Sequence, residues 1–153
     1  MNIFRVSALI GLGVFALGAF GAFAQTKGDG VNEITLERTP CFGRCPVYKA
    51  TLKSDGTLLY EGIRFVPRIG KYKAHIYQFE KIAGLVHRFG LFKLKDSYSA
   101  RVTDQATAIT TVKTASGKKS IRDYGEVGPD ELWAFDRVVD SMVAEARDWE
   151  KVK

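Results

Sequence analysis

The sequence lacks the common short motifs that identify a catalytic site. It has no G-x-S-x-G nucleophile elbow, no H-E-x-x-H zinc motif and no phosphate-binding P-loop. Histidine is scarce too: His75 and His87 are the only two, and their spacing is not that of a zinc site. We therefore predict no catalytic residues, no metal and no cofactor, and an enzyme is not the favoured interpretation.

Charge is missing from residues 6–23, a run that follows the single cation Arg5. The run leads into Ala22-Phe23-Ala24, an A-x-A pattern typical of signal-peptidase cleavage. An uncleaved membrane anchor is the alternative, but glycines dilute the hydrophobicity of the run, and small residues lie where a peptidase needs them. No cysteine lies directly after the apolar run, so we do not expect a lipoprotein. We predict that residues 1–24 are a cleavable signal peptide, that the mature protein is periplasmic or secreted, and that it has no stable membrane span.

The remaining chain is long enough for one domain with its own core. Residues 25–32 are polar and contain glycine, which predicts a short tether, and residues 33–153 are predicted to form a single domain. The chain has 23 basic and 17 acidic residues, a formal net charge of +6, and its cations are spread along the sequence. Export argues against nucleic acid as a partner and leaves an anionic envelope component or another envelope protein, although an ordinary solvated surface also explains the charge.

Alternation of apolar and polar residues predicts strands along most of the domain. The clearest case is a hairpin in which Val47–Lys53 and a return strand with Leu58 and Tyr60 flank Ser54-Asp55-Gly56. Asp tolerates and Gly prefers the positive φ of a tight turn. Further strands are predicted at residues 34–38, 70–76, 107–114 and 119–124.

Two segments change to helical spacing. Apolar residues between Phe79 and Phe89 recur every three or four positions, and Gly90 is placed as a C-terminal cap. The second helix begins near Pro129, and its apolar stripe comprises Leu132, Phe135, Val139, Met142, Val143, Ala146 and Trp149. The order β-β-β-β-α-β-β-α predicts an α+β fold, a mainly antiparallel sheet with two helices on one face.

The two cysteines, Cys41 and Cys45, lie four positions apart in Cys-Phe-Gly-Arg-Cys-Pro. In an oxidising compartment such a pair is expected to form a disulfide, with Gly43 letting the backbone turn tightly. The alternative is thiol-redox chemistry or copper binding, as in the C-x-x-x-C-P loop of Sco-type copper chaperones. Here, however, the motif runs into a predicted strand instead of a helix.

Candidate recognition residues adjoin this loop. Arg44, Tyr48 and Tyr60 combine a cation with amphipathic rings, as binding surfaces often do. Asp104 and Asp123 would form an acid–base pair if the fold brought them into one cleft, but structural aspartates at turns or strand ends are the simpler interpretation.

Several short motifs occur together with the cysteine loop: residues 34–48, Asp55-Gly56, Tyr60-Glu61-Gly62, Gly70, Thr103-Asp104 and Asp123-Tyr124. Together they resemble the bacterial domain-of-unknown-function family numbered 6438, over residues 33–125 and with the final helix in the same domain. The resemblance implies that the cysteine loop is the family's hallmark, and it implies no activity. Asp104, Asp123 and Tyr124, which lie in these motifs, are further candidate binding residues.

The favoured hypothesis is a small binding or structural module of the bacterial envelope. In it, a Cys41–Cys45 disulfide fixes a loop beside Arg44, Tyr48 and Tyr60. The competing hypothesis is a thiol-redox or copper-handling protein that uses the same two cysteines.

Overall fold

One large sheet forms the centre of the computed structural model, which describes residues 30–153. The predicted signal peptide and most of the predicted tether lie outside these residues. The elements are β1 Val31–Arg38, β2 Val47–Lys53, β3 Thr57–Arg64, β4 Gly70–His75, α1 Phe79–Arg88, a 3₁₀ turn Leu91–Lys93, β5 Ser97–Ser99, β6 Thr107–Thr114, β7 Gly117–Tyr124, α2 Asp130–Glu145 and β8 Arg147–Lys151. The strand order across the sheet is β5-β7-β6-β1-β2-β3-β4-β8. Every neighbouring pair is antiparallel except β5 and β7, so the predicted α+β fold with a mainly antiparallel sheet is confirmed.

The β2–β3 hairpin forms where the turn chemistry predicts it. Gly56 has φ 84°, a left-handed conformation that favours glycine, and the Asp55 carboxylate accepts a hydrogen bond from the Thr57 amide at 2.8 Å. The register places Leu52 opposite Leu58. Both side chains therefore lie on the inner face of the sheet, where they are fully buried.

The core lies between one face of the sheet and the two helices. Inward residues of the central strands and the apolar stripes of α1 and α2 form a single cluster, in which Ile34, Leu36, Leu52, Leu58, Ile82, Val86, Leu132, Phe135 and Val139 are the most completely buried. The opposite face is polar, with cross-strand pairs such as the ion pair of Glu33 with Lys113 at 2.6 Å. Within residues 30–153, the helices thus cover one face of the sheet, an arrangement common for antiparallel sheets.

The main differences from the sequence prediction are two shifted boundaries and two additional short strands. Strand β1 begins at Val31, inside the segment predicted as tether, because Val31 packs into the core. The short edge strands β5 and β8 were not predicted. The second helix ends at Glu145: Ala146 is extended, with ψ 148°, and Trp149 belongs to β8 instead of the helical stripe.

Pairing of β8 with the edge of β4 explains this early helix end. Trp149 leaves the helical path to pack edge-on against Tyr60 and Tyr72, with ring centroids 5.5 and 6.1 Å away. Its indole N–H donates to the Ala146 carbonyl at 2.8 Å, which closes the turn between helix and strand. Within residues 30–153, no helix is both long enough and apolar enough to cross a membrane.

Candidate functional site

A cleft of about 460 Å³ opens at one end of the sheet, between the strands, helix α2 and four loops. Three strand residues form its floor: Arg38 on β1, Tyr48 on β2 and Tyr60 on β3. Asp140 and Ala144 line the cleft from α2. The rest of the lining comprises Cys45, Pro46, Phe65, Val66, Pro67, Arg68, Gln105, Ala106, Ala108, Gly125, Glu126, Arg137, Val143 and Trp149. The walls are largely apolar, with a few charged groups that converge on the floor.

Arg38 is the most unusual residue of the cleft, because it is a charged side chain at an inward position of a strand. It continues the alternation of Ile34 and Leu36 and is only 8% exposed. Its guanidinium binds Asp140 in a fork: Nε donates to Oδ1 at 3.2 Å and Nη2 donates to Oδ2 at 2.7 Å. Burial alone would lower the pKa of Arg38, but the hydrogen bond and negative charge of Asp140 outweigh it and raise the pKa. Arg38 is therefore a permanently charged group, fixed in orientation.

Tyr48 is a second hydrogen-bond partner of Asp140. Its hydroxyl donates to Asp140 Oδ1, and its ring stacks on Tyr60 with a centroid distance of 5.6 Å. Burial first, and the charge of Asp140 second, raise the pKa of Tyr48, so the phenol stays neutral and acts as a donor.

Glu126 and Arg137 extend this network towards solvent. Arg38 Nη1 donates to Glu126 Oε1 at 3.1 Å, and Arg137 Nη2 donates to Oε1 and Oε2 of Glu126 at 2.8 and 3.0 Å. Arg137 Nη1 also reaches Asp140 Oδ2 at 3.4 Å. Two guanidinium groups thus share two carboxylates, so the charges of these four residues balance.

An aromatic wall stands beside the charged network. Tyr60 lies between the Tyr48 ring and the edge of Trp149, and the Arg68 guanidinium lies 4.2 Å from the centroid of the Trp149 ring. At this distance the cation and the ring attract each other. The wall is therefore amphipathic, with ring surface in the cleft and a cation at its edge.

Asp136 is a buried carboxyl on α2, one turn before Asp140. Its Oδ1 accepts a hydrogen bond from the Thr110 hydroxyl at 2.5 Å, and the residue is 4% exposed. Burial raises the pKa of Asp136 to about 7; Thr110 and Arg38 oppose the shift, and the neighbouring acidic groups Asp140 and Asp123 add to it. This carboxyl titrates near neutral pH.

Cys41 and Cys45 form the predicted disulfide, with their Cα atoms 5.8 Å apart. Cys45 lines the cleft, so the bridge holds part of its rim. The backbone amide of Phe42 donates to the carbonyl of Asp104 at 3.0 Å, which ties the loop to the segment before β6. Arg44 is exposed and its guanidinium lies 5.8 Å from the centroid of the Phe65 ring, but it is not among the residues that line the cleft.

The structure gives the remaining predicted residues separate environments. Asp104 is exposed and accepts from the Thr103 hydroxyl at 3.0 Å, whereas Asp123 is buried and accepts the backbone N–H groups of Val127 and Gly128 at 3.0 Å. The Tyr124 hydroxyl donates to the Val102 carbonyl at 3.0 Å. Asp104, Asp123 and Tyr124 hold the loops that border the cleft, and none of the three lines it. No group of three or more His, Cys, Asp or Glu residues in the described part of the chain is arranged to hold a metal ion.

Four residues of this network were not predicted as site residues from the sequence: Arg38, Glu126, Arg137 and Asp140. A signal exists for the first: an arginine at the inward position of an alternating strand must find a buried partner. Nothing in the sequence identifies that partner, because Arg38 and Asp140 are 102 residues apart.

No curated protein sequence matches this chain. A family model does match it, over residues 32–143, which include nearly all of β1, β2 to β7 and most of α2. The chain belongs to the family described as domain of unknown function DUF6438.

Proposed function

We propose that this domain is the binding module of an exported protein, and that the cleft at the end of β1, β2 and β3 is its ligand site. One observation carries the proposal: a largely apolar cleft of about 460 Å³ has a charged, hydrogen-bonded network fixed on its floor. Small-molecule sites are typically concave and mostly apolar, with a few polar groups that orient the ligand. A purely structural cleft does not need a buried arginine, since burying its charge is costly.

The polar groups are fixed before any ligand arrives. Arg38 is held by three hydrogen bonds, and Tyr48 is held both by Asp140 and by stacking on Tyr60. These residues lie on strands and on a helix, and the disulfide fixes the loop that carries Cys45. A ligand would therefore bind without a large ordering cost.

Export rests on the predicted signal peptide, and the Cys41–Cys45 bond supports it because disulfides persist mainly in oxidising compartments. We place the protein in the periplasm or the medium, where an anionic envelope component or another envelope protein supplies the ligand. Expression of the full chain in a bacterium with an outer membrane, followed by mass spectrometry of the soluble envelope fraction, tests this. We expect a mature N-terminus at Gln25. Retention of Met1 on membrane-bound or cytoplasmic protein would contradict export.

A cleft-filling variant tests the binding proposal. Ala144 is exposed on α2 and lines the cleft, so Ala144→Phe should occupy it. Ser141→Phe is the matched control, because Ser141 is exposed on the same helix and lies outside the cleft lining. We expect small organic compounds that raise the melting temperature of the wild-type protein to do so equally for Ser141→Phe and not for Ala144→Phe. Equal effects on all three proteins would contradict the proposed site.

A further inference from the structure

Glu126 neutralises part of the positive charge around the cleft. Arg38 and Arg137 both bind Asp140 and both bind Glu126. Arg68 stacks on Trp149, and no ion pair joins it to a carboxylate within residues 30–153. Without Glu126, three guanidinium groups would face the single carboxylate of Asp140, and the cleft would attract an anion.

Of the two carboxylates, Glu126 is the one whose side chain can move away from the arginines. Its side chain is 41% exposed, compared with 25% for Asp140, and it lies on the loop between β7 and α2. The backbone on either side of it is anchored. Gly125 donates to the Ala106 carbonyl at 3.0 Å, and the amides of Val127 and Gly128 donate to Asp123. Rotation of the Glu126 side chain alone would uncover Arg38 and Arg137 without moving the loop.

We propose that the ligand carries a carboxylate that replaces Glu126 on Arg38 and Arg137, and an apolar body that packs against Tyr60 and Trp149. The inference rests on the proposed function of the cleft as a ligand site. Arginine side chains recognise carboxylates through a planar array of hydrogen-bond donors, and Glu126 already accepts hydrogen bonds from both of these arginines. Glu126 is thus an internal stand-in for the acidic group of the ligand, and the ligand must compete with it.

A matched pair of probes tests this chemistry: 3-phenylpropionate, and its neutral amide 3-phenylpropanamide. Their affinities are measured by NMR titration at low ionic strength for the wild-type protein, for Glu126→Gln, and for Glu61→Gln as a control. Glu61 is exposed on β3 and lies outside the cleft lining.

We expect Glu126→Gln to bind the acid about tenfold more tightly than the wild type, because an internal competitor is removed. The amide should bind both proteins equally, and Glu61→Gln should behave as the wild type. If Glu126→Gln binds the acid no more tightly, or if the amide binds as well as the acid, the proposal is overturned.

Arg137→Met provides an independent test should Glu126→Gln fold poorly. Arg137 is 44% exposed, so the fold should tolerate its loss. We expect this variant to lose the preference for the acid over the amide while its affinity for the amide is kept. An unchanged preference would overturn the proposal.

The source of the carboxylate is distinguished by acetyl-alanyl-phenylalanine with a free or an amidated C-terminus. Tighter binding of the free-acid peptide than of 3-phenylpropionate would identify a polypeptide C-terminus, and the reverse order would identify a small organic acid. Binding of the neutral probes in the cleft with no preference for acids would overturn the carboxylate proposal and leave the proposed function standing. If no probe, acidic or neutral, bound in the cleft of any variant, both would be contradicted.

Discussion

Arg38 and Asp140 are 102 residues apart in the sequence and form a forked ion pair beneath the cleft, with N–O distances of 3.2 and 2.7 Å. The pair joins the end of β1 to the middle of α2. It therefore links the position of the helix on the sheet to the geometry of the candidate site.

Removal of the charge of Asp140 should destabilise the protein strongly. In Asp140→Asn the buried Arg38 keeps its charge and loses the closer of its two ionic partners, which leaves only the more exposed Glu126, so we expect the unfolding free energy to fall by about 3 kcal/mol. Chemical denaturation at neutral pH measures this change, with Glu150→Gln, an exposed position on β8, as the control. Combining Asp140→Asn with Arg38→Met should cost less than the sum of the two single changes. Additive costs would mean that the pair does not act as a unit.

The contribution of Asp136 to the stability of the protein should fall as the pH rises from about 4 to about 7. The pKa of Asp136 is raised from 3.8 to about 7, chiefly by burial, so within this window the folded protein binds a proton that the unfolded chain has released. Stability from this group is therefore greatest at acidic pH and is lost as Asp136 ionises.

Asp136→Asn should abolish this pH dependence, because the amide keeps the acceptor for Thr110 and does not ionise. Relative to the wild type, the variant should gain on the order of 2 kcal/mol of unfolding free energy between pH 5 and pH 8. The exposed Asp130 supplies the control, Asp130→Asn. If the difference in unfolding free energy between Asp136→Asn and the wild type stays constant between pH 5 and pH 8, the role of Asp136 is refuted.

The disulfide should contribute modestly to stability. The loop that Cys41 and Cys45 close is short, so replacing both by serine should lower the unfolding free energy by about 2 kcal/mol. As a structural bridge, it should also resist reduction down to roughly −300 mV, which thiol trapping and mass spectrometry across a dithiothreitol series can follow. A pair that is reduced and reoxidised near the potentials of known oxidoreductases would instead favour the thiol-redox hypothesis.

Gly62 and Gly84 should respond in opposite ways to the same substitution. A Cβ at Gly62 would lie 1.8 Å from the carbonyl oxygen of Arg68, so Gly62→Ala must displace the loop that holds Arg68 over Trp149. We expect a loss of more than about 3 kcal/mol of unfolding free energy. Gly84 in α1 has nothing within 4 Å of its Cβ position, and Gly84→Ala should stabilise the helix by up to about 1 kcal/mol. The melting temperatures of the two variants, compared with that of the wild type, test both expectations. A Gly62→Ala protein as stable as the wild type would contradict the described loop geometry.

The sequence predicted the elements that carry a local signal. The β2–β3 hairpin follows from Asp55 and Gly56, and α1 ends where its apolar spacing and the left-handed Gly90 indicate. The edge strands β5 and β8 lack such a signal, because they are three and five residues long and do not alternate between buried and exposed residues. Trp149 matches the helical stripe, yet packing on Tyr60 and Tyr72 places it in β8, so tertiary contacts overrode local periodicity.

The candidate site was only partly predictable for a related reason. Tyr48 and Tyr60 were recognised as amphipathic rings close to the cysteine loop, and both lie on the cleft floor. The partners of Arg38 come from α2 and from the loop before it, and no local pattern reports contacts over such sequence distances.

The most direct test of the account is a map of where ligands bind, obtained by titrating a library of acidic and neutral fragments into labelled protein and following backbone and indole N–H signals by NMR. The account predicts that the shifted signals cluster around the cleft, at residues 45–48, 105–108, 125–128 and 137–144 and at the Trp149 indole, and that acids give the larger shifts. Shifts confined to the polar outer face of the sheet, or spread evenly over the domain, would contradict a ligand site at Arg38.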